Sequence, residues 1–203
     1  MKRLSVISIG LLVTALTVFG CASMSDSGWV TLIDNGKGIE NFNAIGDANW
    51  RVQDGALVAD KGKGGHLVSK NSYKNFQIRA EFWAETGTNS GIFMRASNPS
   101  KVGADSAYEV NIYDLRPGQE YATGGIVNFG RIPVPNNYQA GGKWNTFLIT
   151  AKDTNLIVEL NGVQTVNIYD SKFASGPISL QFGNHGKVPG GVIKWRKVQV
   201  EEL

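Results

Sequence analysis

Cysteine is almost absent from this chain of 203 residues, with Cys21 standing alone. A single cysteine excludes an internal disulfide framework and any cysteine-built metal site. Histidine is nearly as scarce, limited to His66 and His185, so a histidine-rich metal centre is not expected. No run of basic residues exceeds two, and the net charge of +3 therefore carries no nucleic-acid signal. The strings G-x-x-x-x-G-K-[ST], G-x-G-x-x-G after a strand, H-E-x-x-H and G-x-S-x-G are all missing, which removes the common nucleotide, zinc-protease and serine-hydrolase readings. Asp34, Asp47, Asp54 and Asp60 lack the ordered spacing of a calcium loop. Structural calcium is left open on oxygen ligands alone, and no other cofactor is expected.

The N-terminus reads as an export signal. Lys2 and Arg3 precede an uncharged apolar stretch from residue 4 to 19, closed by Gly20-Cys21. The stretch is too short and wrongly flanked for a stable spanning helix. Val18-Phe19-Gly20-Cys21 resembles a lipobox, in which the Cys21 thiol is acylated and becomes the first mature residue. Acyl chains add roughly 0.8 kcal/mol per buried methylene, so several on one residue make a stable anchor. A plain secretory signal with an incidental cysteine would leave an exposed thiol in an oxidising compartment. The expected organisation is a signal peptide over 1–20, a lipidated cysteine and polar tether over 21–27, and one domain over 28–203. Loss of Lys2 and Arg3 with the leader leaves 18 basic against 17 acidic residues. Ala22 after the cysteine points, by resemblance to sorting rules, to the outer membrane, facing the periplasm or the surface.

Beyond the tether, short alternating runs recur between Gly, Asn, Asp and Pro. Strands are expected over 29–33, 50–52, 56–59, 76–83, 91–96, 107–113, 124–128, 144–151, 156–160, 163–168, 176–182 and 192–200. Asn161-Gly162 tolerates the two positive φ angles of a type I′ turn, so 156–168 should be a tight hairpin. A second turn over 152–155 extends it to a three-strand meander. Runs this numerous bury their apolar faces most simply in an all-β sandwich of two antiparallel sheets.

Side-chain parity then sorts residues by face. Phe76, Ile78, Ala80 and Phe82 oppose Gln77, Arg79, Glu81 and Trp83. Tyr108, Val110 and Ile112 oppose Glu109, Asn111 and Tyr113, while Ile92 and Met94 oppose Phe93 and Arg95. The less apolar faces mix aromatic rings with carboxylate, amide and guanidinium. Such a mixture suits a sugar surface, where rings cover C–H faces and charged groups bind hydroxyls. It suits equally a cross-strand ion-pair ladder of Arg79 and Glu81 with Arg95 and Glu109. Patterning leaves both open.

Ordered strings along the chain resemble a known family. Gly28-Trp29-Val30-Thr31-Leu32-Ile33-Asp34-Asn35-Gly36 is similar to its opening motif, and Trp50-Arg51-Val52-Gln53-Asp54-Gly55-Ala56-Leu57 to its W-x-V-x-D-G-x-L element. Tyr73 to Phe82, Asn89-Ser90-Gly91-Ile92-Phe93-Met94-Arg95 and Tyr108-Glu109-Val110-Asn111-Ile112-Tyr113-Asp114 follow in order. Thr123-Gly124, Trp144-Asn145-Thr146, Asn161-Gly162 and Gly176 to Gln181 complete the series. The family is the 3-keto-disaccharide hydrolase domain, whose fold is a concanavalin A-like jelly roll. The chain departs from it where Phe182-Gly183-Asn184 intervene before His185-Gly186, and where Gly125-Ile126-Val127 follows Thr123-Gly124.

The resemblance implies an exported protein acting on a carbohydrate or a modified glycoside, in some members one oxidised to a ketone at C3. Such a ketone acidifies the C2 hydrogen, so a carboxylate base can start elimination of the glycosidic oxygen, after which water adds. Residue type and parity make Glu109 the candidate base and Arg95 the group that steadies the enolate oxygen. Glu81 or Asp114 would be the acid or positioning group, Asp114 needing a bulge or loop to change face. Asn89, Asn111, Trp83, Tyr113 and His185 are the candidate substrate contacts. A non-catalytic glycan-binding lipoprotein, or a structural one with a vestigial site, remains an alternative, since this fold serves several uses.

Overall fold

The computed structural model describes residues 27–185, 188–189 and 191–203, without the side chains of 184–190. The expected signal peptide, Cys21 and the tether up to residue 26 lie outside the described residues. Strands follow in the order β1 (Val30–Asp34), β2 (Phe42–Gly46), β3 (Arg51–Gln53), β4 (Ala56–Ala59), β5 (Gly65–Tyr73), β6 (Phe76–Ala84), β7 (Ser90–Met94) and β8 (Tyr108–Ile112). The second half contributes β9 (Trp144–Lys152), β10 (Asn155–Leu160), β11 (Val163–Tyr169), β12 (Gly176–Phe182), the short pair β13 (Asn184–His185) and β14 (Val188–Pro189), and β15 (Ile193–Glu202).

Two antiparallel sheets make the sandwich. The larger runs β11-β10-β9-β6-β15-β4-β3, with β1 also on β15; the smaller runs β2-β5-β12-β7-β8. The meander is present, since Asn155 pairs with Lys152 and Leu160 with Val163. Asn161 and Gly162 both take positive φ, 52° and 78°, as the primed turn requires. Nothing lies within 4 Å of where a Gly162 Cβ would stand, so the cost of a side chain there is conformational alone. Gly162→Val is therefore expected to lower stability by about 1 kcal/mol or more, read from the urea midpoint. An unchanged midpoint would contradict the turn assignment.

Alternation decides the core. Phe76, Ile78, Ala80 and Phe82 of β6 point inward with Phe147, Ile149, Trp195 and Val198, and meet Leu67, Ile92, Met94, Val110, Ile178 and Leu180 of the smaller sheet. Phe82 stacks on Phe147 at 5.0 Å and lies 5.9 Å from the Trp195 ring. Burial of each such ring stabilises the fold by about 1.5–3 kcal/mol. The outer face of the smaller sheet is also partly covered, because Phe93, Ala96 and Ala107 form a separate apolar cluster under Val102 of the 97–106 loop.

Three expectations are corrected here. β2 and β5 are strands that the run pattern did not indicate. In β5, Leu67 and Val68 are both buried, because both faces of the sheet are covered there, and alternation disappears. Residues 124–128 form only isolated bridges, Ile126 meeting Val110 and Gly130. Most consequentially, 76–83 and the pair 91–96 and 107–113 belong to different sheets.

Candidate functional site

Glu109 sits in the middle of β8, opposite Phe93 of β7. Its neighbours Tyr108 and Val110 point into the core, so its carboxylate faces outward from the smaller sheet, yet the residue is only 8 % exposed. Burial pushes the carboxyl up to about 7, with Arg116 opposing that shift in part. None of the hydrogen bonds among the described residues ends on this carboxylate. A group so placed is neutral or charged with little bias near pH 7.

The space beside Glu109 exists because residue 91 is glycine. A Cβ there would stand 2.9 Å from the Val110 carbonyl oxygen, 3.4 Å from Glu109 Cγ and 3.6 Å from Oε1. Gly91 pairs with Asn111 on one side. On the other, Ser179 opposite Phe93 brings Gln181 alongside Gly91, and Gln181 in turn pairs with His66 of β5. One row across the strands thus reads His66, Gln181, Gly91, Asn111, with Glu109 one step along.

That row carries unspent polar capacity. Asn111 is fully buried and its Nδ2 donates to the Tyr121 carbonyl at 2.6 Å. Asn111 Oδ1 and Gln181 Oε1 are buried with no hydrogen-bond partner among the described residues. Orphaned acceptors on both sides of a glycine gap are costly unless something donates to them. His66 makes a contact of 3.1 Å from Nδ1 to Ser179 Oγ and packs edge-on to Phe93 at 5.0 Å. Burial pushes the imidazole down to about 4, so it stays neutral at ordinary pH. A cleft of about 350 Å³ opens beside the row, lined by His66, Asn89, Gln181, Lys63 and Lys101, with Gly46, Gly64, Gly65 and Gly183 among its walls. Gly183 donates its amide to the Asn89 carbonyl, and a Cβ on it would strike the Asn89 side chain.

The expected site residues divide accordingly. Glu109, Asn111 and Asn89 come together on the smaller sheet. Tyr113, half-buried just beyond the end of β8, follows them by parity, its amide held by Thr123 Oγ1 at 2.9 Å. His185 has its backbone in β13, and its side chain lies outside the described residues.

The others are placed elsewhere. Glu81 and Trp83 belong to the larger sheet, on the far side of the sandwich. There Glu81 pairs with Arg196 at 2.6 Å and Trp83 lies under Lys194 Nζ at 4.6 Å. Arg95 does not project beside Glu109 either. It leaves β7 with φ 54°, which breaks the parity that would have set it beside Phe93. Its buried guanidinium donates to the Lys74 carbonyl at 2.6 and 2.9 Å, to Asp153 at 2.8 Å and to Phe173 at 3.2 Å. Asp114 is fully engaged too, accepting from Thr123 Oγ1 at 2.5 Å, Ala140 N at 3.0 Å and Gly141 N at 2.8 Å. It ties the long loop after β8 back to the strand, and its side chain is nearly buried among these three donors. His66 was not indicated by the sequence because β5 was unrecognised, whereas Ser179 and Gln181 lie on the expected strand over 176–182 but were not singled out as site residues. Among the described residues, no group of three or more His, Asp or Glu side chains is arranged to hold a metal ion.

Comparison with known proteins identifies the family and the fold. Residues 28–201 match the model of a family described as 3-keto-alpha-glucoside-1,2-lyase-like domain. A 3-keto-disaccharide hydrolase of Bacteroides thetaiotaomicron is 28 % identical over 147 residues, which cover 58 % of this chain and 50 % of that protein. The chain thus spans about half the length of that relative. In fold, the chain is similar to a candidate glycosyl hydrolase of Parabacteroides distasonis, with TM-score 0.72, 18 % identity, 87 % of this chain and 94 % of that one covered. A carbohydrate-binding module of Bacillus subtilis gives TM-score 0.58 at 13 % identity, covering 86 % and 96 %.

Proposed function

The chain belongs to the family of 3-keto-alpha-glucoside-1,2-lyase-like domains, and we propose that it cleaves 3-keto glycosides by elimination, with Glu109 as the base. The observation that carries this reading is the outward-facing, nearly buried Glu109 carboxyl, raised to about 7, beside the Gly91 gap. Glu109 takes the C2 proton while the C2–H electrons form an enolate on the C3 oxygen. Re-formation of the ketone then expels the glycosidic oxygen from C1, which leaves an unsaturated keto sugar that water can hydrate. With Glu81 across the sandwich and Asp114 occupied, the same carboxyl returns its proton to the departing oxygen. A group with a pKa near 7 can serve in both directions at neutral pH.

A binding role draws on the orphaned Asn111 and Gln181 acceptors, which receive sugar hydroxyls whether or not a bond breaks. A screen of 3-keto disaccharides against their unoxidised parents separates the two. Cleavage of the keto substrate alone is expected, with kcat/KM rising with pH to a plateau about an apparent pKa near 7, because the base must be deprotonated. Binding without product would favour the lectin-like role, and a rise centred near 4.5 would point to another carboxylate.

Export and anchoring belong to the same reading. Metabolic labelling with palmitate should tag the wild type in the cell envelope, on the outer membrane, and the tag should vanish in Cys21→Ala. An untagged, fully secreted wild type would contradict the anchor.

A further inference from the structure

Elimination from a 3-keto sugar makes one demand that Glu109 cannot meet. Charge gathers on the C3 oxygen as the C2–H bond breaks, and a hydrogen-bond donor or a cation must steady it there. The row over Gly91 carries unspent acceptors, Asn111 Oδ1 and Gln181 Oε1. Arg95, the expected donor, is spent on carbonyls at the end of the sandwich, and Arg116 acts on the charge of the Glu109 carboxyl. Lys63 and Lys101 line the cleft from exposed positions, where solvent and salt screen them. His66 is held differently. Its Nδ1 lies 3.1 Å from Ser179 Oγ, one strand nearer Glu109, and its ring packs edge-on to Phe93 at 5.0 Å. Phe93 is itself the residue paired with Glu109. The imidazole and the carboxyl therefore flank the same stretch of the outer face, and a sugar over Gly91 lies between them.

The Ser179 contact decides which ring nitrogen carries the proton. Ser179 is fully buried, and among the described residues its hydroxyl has no hydrogen-bond partner other than His66. A proton on Nδ1 would point at the serine oxygen and leave the buried Ser179 O–H without an acceptor, which is costly. The serine therefore donates to Nδ1, and the ring proton stands on Nε2. Nε2 has no partner among the described residues, and the half-buried ring lines the cleft. We infer that His66, locked by Ser179 as the Nε2–H tautomer, donates to the C3 oxygen of the keto sugar and steadies the enolate that Glu109 creates, an inference that rests on the elimination reading above. Glu109 receives the C2 proton, the C2–H electron pair passes to the C3 oxygen, and the imidazole keeps its own proton throughout. Burial holds that imidazole at about 4, so the donor is neutral. A neutral donor polarises the ketone without adding a positive charge that would pull the Glu109 carboxyl down and weaken it as a base. His66 is thus a catalytic residue, and Ser179 a positioning residue that acts through it.

Nitrogen-15 spectra of the histidine rings test this, and with two histidines in the chain the loss of one ring in His66→Gln assigns the other. At pH 7 the wild type should show His66 with a protonated Nε2 and a bare Nδ1, and Ser179→Ala should turn this into a mixture of both tautomers. A 3-keto disaccharide added to Glu109→Gln, which binds without turnover, should shift Nε2 more than Nδ1. In turnover, His66→Leu should lower kcat by about 10²-fold, the usual loss of an oxyanion donor, with KM within about threefold of wild type. His66→Gln, whose amide nitrogen can reach the Nε2 position, should recover at least about fivefold of that loss. A proton on Nδ1 in the wild type, an Nε2 unmoved by the keto sugar, or full turnover in His66→Leu would each overturn the inference. Turnover retained in Glu109→Gln would overturn the base assignment alone, since His66 is read from its own nitrogens.

Discussion

Glu109→Gln is expected to lower turnover of a 3-keto disaccharide by about 10²-fold or more, the usual loss when a general base is removed, with substrate affinity nearly retained. Glutamine has the same shape, so it can occupy the space over Gly91 and keep the hydrogen-bonding outline of the row. It cannot accept the C2 proton. The variant should also differ in stability, in a direction that the wild-type carboxyl dictates. Burial holds that carboxyl at about 7 in the folded chain, above the ordinary 4.5 of an exposed glutamate. Between those values the folded state binds more protons than the unfolded one, so wild-type stability is highest below 4.5 and falls as pH rises to about 7. Glutamine removes that slope, and Glu109→Gln should be the more stable protein at pH 8. Single-turnover assays and urea melts at pH 5 and pH 8 read both effects. Full activity in Glu109→Gln would remove Glu109 as the base.

Arg95→Ala should act on the fold and hardly on the chemistry. The guanidinium donates to carbonyls of the β5–β6 turn, the β9–β10 turn and the segment before β12, and so fastens both sheets together at one end. Truncation leaves the Lys74, Asp153 and Phe173 carbonyls without that donor and opens a cavity where a buried side chain stood. Each lost partner costs about 1–3 kcal/mol, so a total of at least about 3 kcal/mol is expected in the urea midpoint. Arg95→Lys should rescue little, since a single ammonium cannot span three carbonyls held apart by a planar fork. Turnover per folded molecule should stay within about threefold of wild type under conditions where the variant remains folded. A stable Arg95→Ala with turnover reduced a hundredfold would return Arg95 to the site.

These two residues show where a sequence is readable and where it is not. Glu109 and Asn111 share a face because successive side chains in a strand alternate, a rule local enough to apply from the string alone. The Asn161-Gly162 hairpin is local in the same way. Arg95 escapes the rule by a single backbone angle, φ 54°, at a position where arginine gives no warning of a left-handed turn. Glu81 escapes it for another reason. Parity within β6 is right, with Phe76, Ile78, Ala80 and Phe82 buried, yet nothing in 76–84 says that its partners are β9 and β15 rather than β7. Those partners begin 60 or more residues downstream, and strand order is settled by packing of the whole chain. His66 was hidden by burial on both faces, since covered outer positions such as Val68 and Phe93 erase the polar half of the pattern.

The segment after Thr123 has a consequence for how copies of this protein behave toward one another. β8 is the last strand of its sheet, but Gly124 and Gly125 exchange hydrogen bonds with Asn111, and the Val127 amide donates to the Glu109 carbonyl. An open row of amides and carbonyls at this border would be a template for a strand from a second molecule. The loop occupies that border with the chain's own backbone, so the strand bearing the candidate base is sealed against edge-to-edge aggregation. At high local concentration, such as crowding on a membrane would produce, the molecules can stay separate and keep their clefts clear.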